Sequence, residues 1–481
     1  MSDIQFAREE DLTLDNDDFK NAFIGENLVI DCTEIRLTQN DSVAPRIYSS
    51  TGYIRVGPQH GVEARLVCPR DPSDAYDPYA MFDRFDHLTP GVLLPDSHYY
   101  RLEATDVAGN VWTNPSVNLK VQDHADSVIL MLSCNFLQTE GTSEGVSGYS
   151  RWIFLDVLEF PENVSRTTTV ERGGKPYSRN SKLDGSSGMV SGLEIAYETR
   201  KNMPGERYSE FFARIRKGVV VQKDFENRLL EALRFCTATM VKPVMSESVI
   251  NDVKTIKLEK ARPLNNNGIV HAPIPCPSLD MSQDFYRLFE CYFDYACANT
   301  KGKEFAPISS KLGGLFTLKG VWLDTIVLLL GVAVESILGE TKFKTIAKPK
   351  NGFLENIETL AELVRNAPLE KGLITRVVNA VDNMKSSSAA DKLHVLIQSG
   401  ALEEEDRVAW KRLRNKSAHG SFEIAPEKMQ QLLDDIFRLT TLIYKLVFLL
   451  IGYSGSYSNR AARGWRHDQF HAPTYWAALE E

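Results

Sequence analysis

The sequence has no excess of positive charge, no cysteine pair with metal-site spacing and no long apolar run free of charged residues. A formal net charge of -9 over 481 residues excludes the overall basic field that draws a protein to nucleic acid. The seven cysteines are scattered and never form a Cys-x-x-Cys pair. We therefore predict free thiols, no metal and no cofactor. Any contact with nucleic acid would need a local basic site.

Membrane and secretion signals are also lacking. The two most apolar runs, 321–338 and 436–453, each contain two charged residues, and burying a charge at bilayer depth is costly. The first 18 residues are acidic and have no apolar core, unlike a secretory signal. We predict that both runs are core helices, that the protein does not enter a membrane and that it is cytoplasmic.

The patterns that are present divide the chain in two. Before about residue 223, alternating or branched apolar runs between turn sequences predict β-strands, and after it helical spacing predominates. A Gly-, Ser- and Lys-rich segment at 171–192 predicts a long exposed loop, and four prolines in 262–280 predict a stiff exposed linker. The expected fold is an α+β multidomain protein. Its regions are a β-rich half at 1–261 ending in a helix at about 223–240, the linker, an all-α bundle of six or seven helices at 281–455, and a basic and aromatic tail at 456–481.

The residues most suited to chemistry lie between the last two predicted helices. Arg414 and Asn415 are followed by His419 and then by Gly420, which is expected to end the helix. A histidine near a helix C-terminus is biased toward its charged form and can exchange a proton near neutral pH. An arginine offers a planar fork to a phosphate, and an asparagine can bind a ribose hydroxyl or hold the histidine ring. These are the parts needed to cleave RNA without metal, although a solvated basic turn is the plainer interpretation.

The segment Arg414-Asn415-x-x-x-His419 resembles the R-x4-6-H signature of HEPN domains, because it leads into a long closing helix. The polar residue after the arginine, the His-Gly ending and the preceding Trp410 are similar to the HEPN domain of ApeA-type phage-defence proteins. The resemblance covers about residues 284–453. The β-rich half followed by a helix and a linker also resembles the ApeA-type layout.

The resemblance implies a HEPN bundle that acts as a metal-independent endoribonuclease in antiviral, abortive-infection defence. Arg414 would stabilise charge on the phosphate, His419 would exchange a proton with the 2′-hydroxyl or the leaving oxygen, and Asn415 would orient the substrate or the histidine. The substrate would be RNA, with tRNA as one candidate. The products would be a 2′,3′-cyclic phosphate and a 5′-hydroxyl. The β-rich half would sense a phage-derived trigger.

A homodimer or higher oligomer is implied as well, with two motifs facing one cleft. The apolar helices at 318–338 and 426–451 are expected to supply its interface, because they have more apolar surface than one small bundle needs. Asp324 and Glu335 are eleven residues apart, which places them within about 20° of each other around a helix. We predict Arg414 or Lys416 as their partners. The alternative is that they face water or pair with another base such as Lys319.

Two alternatives concern the tail and the overall function. The tail residues Arg460, Arg463, Trp465 and Arg466 mix charge with an aromatic ring, as a single-stranded RNA site would, but the tail could equally dock on its own bundle. The protein could also be a non-catalytic HEPN regulator that dimerises and binds nucleotide or protein. A third hypothesis places the main activity in the β-rich half, on glycans. No constellation of residues there supports it.

Overall fold

The computed structural model describes residues 17–69, 91–124, 126–143, 145–146, 148–164, 167–172, 175–180, 185–201, 205–222, 224–261, 270–275, 281–300, 302–317, 321–347, 351–418 and 426–480. The chain divides into two compact units. The β-rich unit comprises 1–158, 164–220 and 242–263, and the helical unit comprises 159–163, 221–241 and 264–481. The protein is therefore of mixed α/β class, with a β-rich region before a helical one.

Six antiparallel strands close a barrel in the β-rich unit. They are β1 (Leu28–Gln39), β2 (Ile47–Gly57), β3 (Gly61–Pro69), β4 (Tyr100–Asp106), β5 (Val111–Asp123) and β6 (Ser127–Cys134). The order is β1-β2-β3-β6-β5-β4, and β4 pairs again with β1. Burial alternates along the strands, so side chains such as Ile35, Leu66 and Leu102 form the core. Closure leaves this part of the sheet without a free edge.

The same sheet continues beyond the barrel as an open antiparallel array. Its strands are β7 (Phe136–Thr142), β8 (Tyr149–Phe154), β11 (Gly185–Val190), β12 (Leu193–Lys201), β13 (Arg207–Ile215), β14 (Met245–Ile250) and β15 (Val253–Glu259), while β9 (Thr167–Arg172) and β10 (Lys175–Asn180) form a separate hairpin. The order is β7-β15-β14-β8-β13-β12-β11, and β7 joins the barrel at β5.

Two expectations about this half were wrong. The predicted loop at 171–192 contains most of the β9–β10 hairpin and strand β11. Its strands are rich in serine, glycine and charged residues and lack the apolar alternation that would reveal a strand. The β14–β15 hairpin was also missed, because we expected helix to predominate from residue 223 onward.

A buried ion cluster joins the open sheet to the first helix, α1 (Asp17–Ile24). Glu210 on β13 contacts Lys20 at 2.9 Å, Arg151 at 3.1 Å and Arg200 at 3.2 Å. Burial by itself would raise the pKa of Glu210, but the arginines and Lys20 outweigh it and lower this pKa. The cluster therefore stabilises the β-rich unit with a charged carboxylate.

The helical unit contains the remaining helices of the described residues. They are α2 (Phe225–Thr237), α3 (Ser282–Asn299), α4 (Pro307–Leu312), α5 (Leu323–Leu338), α6 (Thr341–Lys344), α7 (Asn351–Arg365), α8 (Lys371–Asn383), α9 (Ala389–Gln398), α10 (Glu404–Ala418), α11 (Met429–Ile451) and α12 (Ala472–Glu480). The helix predicted at 223–240 was assigned to the wrong region. It belongs to the helical unit, where Phe235 stacks on Tyr292 with ring centroids 4.6 Å apart.

Helix α5 packs against α11 and against α10, the helix that carries Arg414. Every residue of α11 from 439 to 450 is buried, as the nearly continuous apolar sequence predicted. None of the helices in the described ranges is both long enough and apolar enough to cross a membrane.

The described part of the predicted linker is not an exposed spacer. Within residues 270–275, Val270, Ala272 and Ile274 are buried, and the rest of the segment, 262–269 and 276–280, lies outside the described residues. Pro273 is buried with them, so this stretch packs into the helical unit. A proline-rich composition by itself does not show whether a segment is exposed.

Candidate functional site

Helix α10 is held in place by an inward face and a charged first turn. Ala409, Trp410 and Leu413 are buried at helical spacing. Asp406 is also buried. It accepts a hydrogen bond from the backbone N–H of Glu403 at 3.0 Å and contacts Arg438 on α11 at 3.1 Å. This contact fixes the start of α10 against α11.

A second ion pair anchors the C-terminal half of α10. Both oxygens of Asp435 on α11 accept hydrogen bonds from the Nη1 of Arg412, at 2.9 Å each. The Asp435 side chain is only 10% exposed. Because this buried carboxylate ties Arg412 to α11, helix α10 is anchored two residues before Arg414.

Arg414 lies on the edge of α10 that faces α5. Its Nε donates to Glu335 Oε1, and its guanidinium carbon lies 5.9 Å from the centre of the Trp410 ring. The Arg414 and Glu335 side chains are 53% and 40% exposed. The predicted contact between Glu335 and Arg414 is thus present, and the Arg414 side chain remains about half exposed.

The other motif residues follow Arg414 along the chain. Asn415 is exposed in the last turn of α10. Lys416 lies within the same helix, but its side chain is outside the described residues, as are His419 and Gly420 altogether. The helix continues through Ala418, so it does not end close to Arg414. The predicted role of His419 and the predicted stop at Gly420 stay predictions.

Asp324 does not join the cluster at Glu335. It is exposed in the first turn of α5, where its Oδ1 accepts a hydrogen bond from the Thr325 N–H at 2.8 Å. An acidic residue at this position stabilises a helix through the positive end of its dipole. Of the two interpretations considered for Asp324, the structure fits the one in which it faces water.

The tail docks on its own bundle. It forms strands β16 (Ser454–Ser458) and β17 (His467–His471), and then α12, whose Trp476 donates a hydrogen bond to the Leu449 carbonyl at 2.8 Å. Of the predicted RNA-binding residues, Arg460 is buried. It donates to the Ala272 carbonyl at 3.1 Å and lies 4.7 Å from the Trp465 ring centre. Arg460 therefore holds the tail to residues 270–275, and we do not retain it as an RNA contact.

The remaining tail residues occupy the surface. Arg463 and Arg466 are exposed, and Arg466 is paired with Asp468 at 3.0 Å. Trp465 is partly exposed but packs edge-on against Phe437, with ring centroids 5.4 Å apart. Packing against Phe437 explains the presence of Trp465. The described part of the tail therefore does not present a row of rings on which bases could stack.

Helix α5 leaves an apolar strip uncovered beside the Arg414 contact. Leu328 and Val332 are about half exposed. They precede Glu335 by seven and three residues, so all three lie on one side of α5. Helix α11, in contrast, is buried throughout residues 439–450, and Met429 near its start is 37% exposed. Only one of the two helices predicted for a dimer interface therefore has substantial apolar surface to spare.

Sequence reasoning missed the two aspartates that position α10. Asp435 interrupts an apolar stripe of α11 between Leu432 and Leu439, and a charge on such a stripe usually has a buried partner. Asp406 lies in an acidic first turn that looked like an ordinary helix start. The buried pairing of Asp435 could therefore have been predicted from the sequence, whereas that of Asp406 could not.

No protein-family model, no curated protein and no solved structure matches this chain. Within the described residues, no group of three or more His, Cys, Asp and Glu side chains is arranged to hold a metal ion. The candidate site comprises Arg414, its neighbours Glu335 and Trp410, and the segment of sequence that follows Arg414.

Proposed function

We propose that this protein is a HEPN-type endoribonuclease that cleaves RNA by attack of a 2′-hydroxyl, and that it serves in antiviral defence. The observation that carries the proposal is the exposed Arg414 guanidinium, held by Glu335 and by the Trp410 ring at the end of a helix that leads to His419. A half-exposed arginine in a fixed position can bind a phosphate with its planar fork.

The chemistry needs few groups. His419 takes the proton from the 2′-hydroxyl, or gives one to the departing 5′-oxygen. Arg414 stabilises the charge that develops on the phosphate, and Asn415 orients the ribose or the imidazole. Attack by the 2′-oxygen on the adjacent phosphorus breaks the bond to the 5′-oxygen, which leaves a 2′,3′-cyclic phosphate and a 5′-hydroxyl. DNA lacks the attacking group and is not a substrate.

The proposal includes a two-fold homodimer with the two motifs facing each other. One motif supplies one histidine, whereas in-line transfer benefits from a base and an acid on opposite sides of the phosphate. Two-fold symmetry supplies the second. The half-exposed Leu328 and Val332 lie beside Glu335 on α5, so burying them against a second copy would bring the two Arg414 side chains toward one cleft.

The test is RNA cleavage by the purified full-length chain and its variants. We expect His419→Ala and Arg414→Ala each to lower cleavage of a tRNA pool by about 100-fold or more. Sequencing of RNA ends should show 2′,3′-cyclic phosphates with wild-type protein. Arg55→Ala, which changes an exposed arginine of strand β2, is the matched control and should cleave normally. Full cleavage by a folded His419→Ala protein would exclude the proposed mechanism.

A further inference from the structure

A small pocket, which we call the tail pocket, lies where the C-terminal tail meets the helical bundle. Its walls come from the turn between α9 and α10, from α11, from the β16–β17 hairpin and from α12. Its volume is about 300 Å³, which is enough for a small molecule. Charged groups and tyrosines make up much of the wall, namely Glu403, Lys445, Tyr457, Arg466, Asp468 and Tyr475.

Lys445 is among the least exposed side chains of this wall. Its side chain is 7% exposed, and its Nζ lies 3.7 Å from Asp406 Oδ2, which is beyond hydrogen-bond distance. Both oxygens of Asp406 already accept a shorter hydrogen bond, from the Glu403 N–H at 3.0 Å and from Arg438 Nη1 at 3.1 Å. Among the described residues, none accepts a hydrogen bond from the Lys445 ammonium. An ammonium has three donors, so Lys445 needs acceptors from outside the described chain.

The Tyr457 hydroxyl is a second buried donor. Tyr457 is only 3% exposed, and its ring packs against Phe448 and Phe470. No group in the described ranges forms a hydrogen bond with its hydroxyl. Burial, and then the nearby Asp468 and Glu403, raise the pKa of Tyr457, so the hydroxyl keeps its proton. A buried donor without a partner is costly, and the two least exposed polar side chains of the wall are therefore both donors in need of an acceptor.

Carboxylates lie at the more exposed end of the tail pocket. The Glu403 and Asp468 side chains are 50% and 26% exposed, and each has one oxygen paired at 3.0 Å, with Arg438 and Arg466 respectively. The second oxygen of Glu403, Oε1, accepts no hydrogen bond from any residue that the structure describes. A carboxylate oxygen has about two acceptor sites. The exposed end of the pocket can therefore bind a donor.

The charges that line the tail pocket cancel, because Lys445 and Arg466 balance Glu403 and Asp468. An ion of either sign would therefore gain no net attraction from the wall as a whole. A ligand that matches the wall is neutral overall. It has acceptors at one end, for Lys445 and Tyr457, and a donor at the other end, for Glu403.

We propose that the tail pocket binds a free α-amino acid in its zwitterionic form. The carboxylate of the amino acid accepts hydrogen bonds from Lys445 and from the Tyr457 hydroxyl, and its ammonium group donates to Glu403 Oε1. Charge-assisted hydrogen bonds are roughly twice as strong as neutral ones, which favours a zwitterion over an uncharged polyol of similar size. This site is separate from Arg414, and the proposal does not rest on the proposed ribonuclease activity.

The first test uses the wild-type, full-length protein. Each common L-amino acid is added singly at millimolar concentration, and at least one should raise the melting temperature, as a ligand that binds only the folded protein must. The N-acetyl derivative of that amino acid lacks the ammonium group and its methyl ester lacks the carboxylate, so neither should bind in calorimetry. If no amino acid stabilises the protein, or if either derivative binds equally well, the proposal is wrong. A larger rise with D-ribose or inorganic phosphate would also overturn it, by showing that the pocket takes a polyol or an anion.

The second test assigns the binding to this pocket. Tyr457→Phe removes one hydrogen bond to the carboxylate and Glu403→Gln removes the charge that faces the ammonium, so each should weaken binding about tenfold or more. Lys445→Met should weaken it further, but it also removes a buried ion pair, so the first two variants decide. Glu405→Gln and Tyr53→Phe are the matched controls, because both residues are exposed and lie outside the pocket, and both should bind normally. Unchanged affinity in both Tyr457→Phe and Glu403→Gln would place the amino acid elsewhere and refute the assignment.

Discussion

Two arginines that lie two residues apart on α10, and so point to different sides of it, should respond to substitution in opposite ways. Arg414 is half exposed and is paired with the half-exposed Glu335. Such a surface pair contributes between zero and about 1 kcal/mol, and an exposed cation–ring contact adds roughly 0.5 kcal/mol. Arg414→Ala should therefore lower the free energy of unfolding by only about 1 kcal/mol. Its RNA cleavage should fall by about 100-fold or more, because the phosphate-binding group is lost.

Substitution of Arg412 should affect stability and not cleavage. Its two hydrogen bonds reach Asp435, which is 10% exposed. Hydrogen bonds to a charged group contribute about 1.5 to 3 kcal/mol, and an uncompensated buried carboxylate is costly. Arg412→Ala should therefore lower the free energy of unfolding by about 2 to 3 kcal/mol. We expect it to keep near-normal cleavage well below its melting temperature, since Arg412 faces Asp435 and not the open side of the helix.

The assay combines urea unfolding followed by circular dichroism with single-turnover cleavage of labelled tRNA. Both variants are compared with wild type at a temperature where all three are folded. If Arg414→Ala loses stability and activity in proportion, its effect is structural and the proposed phosphate contact is wrong. Loss of cleavage by a fully folded Arg412→Ala protein would place the reacting phosphate nearer to Asp435 than the proposal allows.

Three further predictions address positioning, cofactors and pH. Glu335→Gln keeps the shape of the side chain but removes the charge that holds Arg414. The kcat for RNA cleavage should therefore fall about tenfold with little change in melting temperature. An unchanged kcat would show that Glu335 does not belong to the site. Cleavage should persist in EDTA, and inhibition that magnesium reverses would contradict the proposed mechanism. The folded-state pKa of Glu210 is lowered below its ordinary value of 4.5, so its stabilising contribution is present above pH 4.5 and is lost as the pH falls through the folded pKa. Glu210→Gln should therefore be less stable than wild type at pH 7 in urea unfolding, and the difference should shrink toward pH 3.

The helices were predictable from the sequence to a degree that the strands were not. The helices predicted at 223–240, 318–338 and 426–451 correspond to α2, α5 and α11, whose bounds differ by at most five residues, because apolar spacing and residues such as Pro426 mark helix faces and ends locally. The pairing of β5 with β6 that closes the barrel joins strands whose contacts depend on the whole sheet. No local sequence pattern identifies the strand with which another strand pairs. In the polar segment 171–192, no apolar alternation marks the strands themselves.

The candidate site shows the same division between local and distant information. The motif beginning at Arg414 is contiguous, so it could be recognised without a structure. Glu335 was found because a carboxylate on an apolar helix needs a partner. The burial of Arg460 could not be predicted from its neighbours, because the group that satisfies it is the Ala272 carbonyl, 188 residues away in the chain. Composition alone made the tail resemble an RNA-binding segment.

Because the Arg414–Glu335 pair is exposed, a substrate phosphate could separate it at little cost. A phosphate that binds Arg414 must replace Glu335 as its partner, and an exposed pair costs at most about 1 kcal/mol to separate. The bidentate contact that a phosphate can make with arginine exceeds that cost. Arg412 could not be recruited in the same way, because separating it from the buried Asp435 would leave an uncompensated charge. Of the two arginines that flank Leu413, only Arg414 is therefore held firmly enough to be positioned and weakly enough to be released to a substrate.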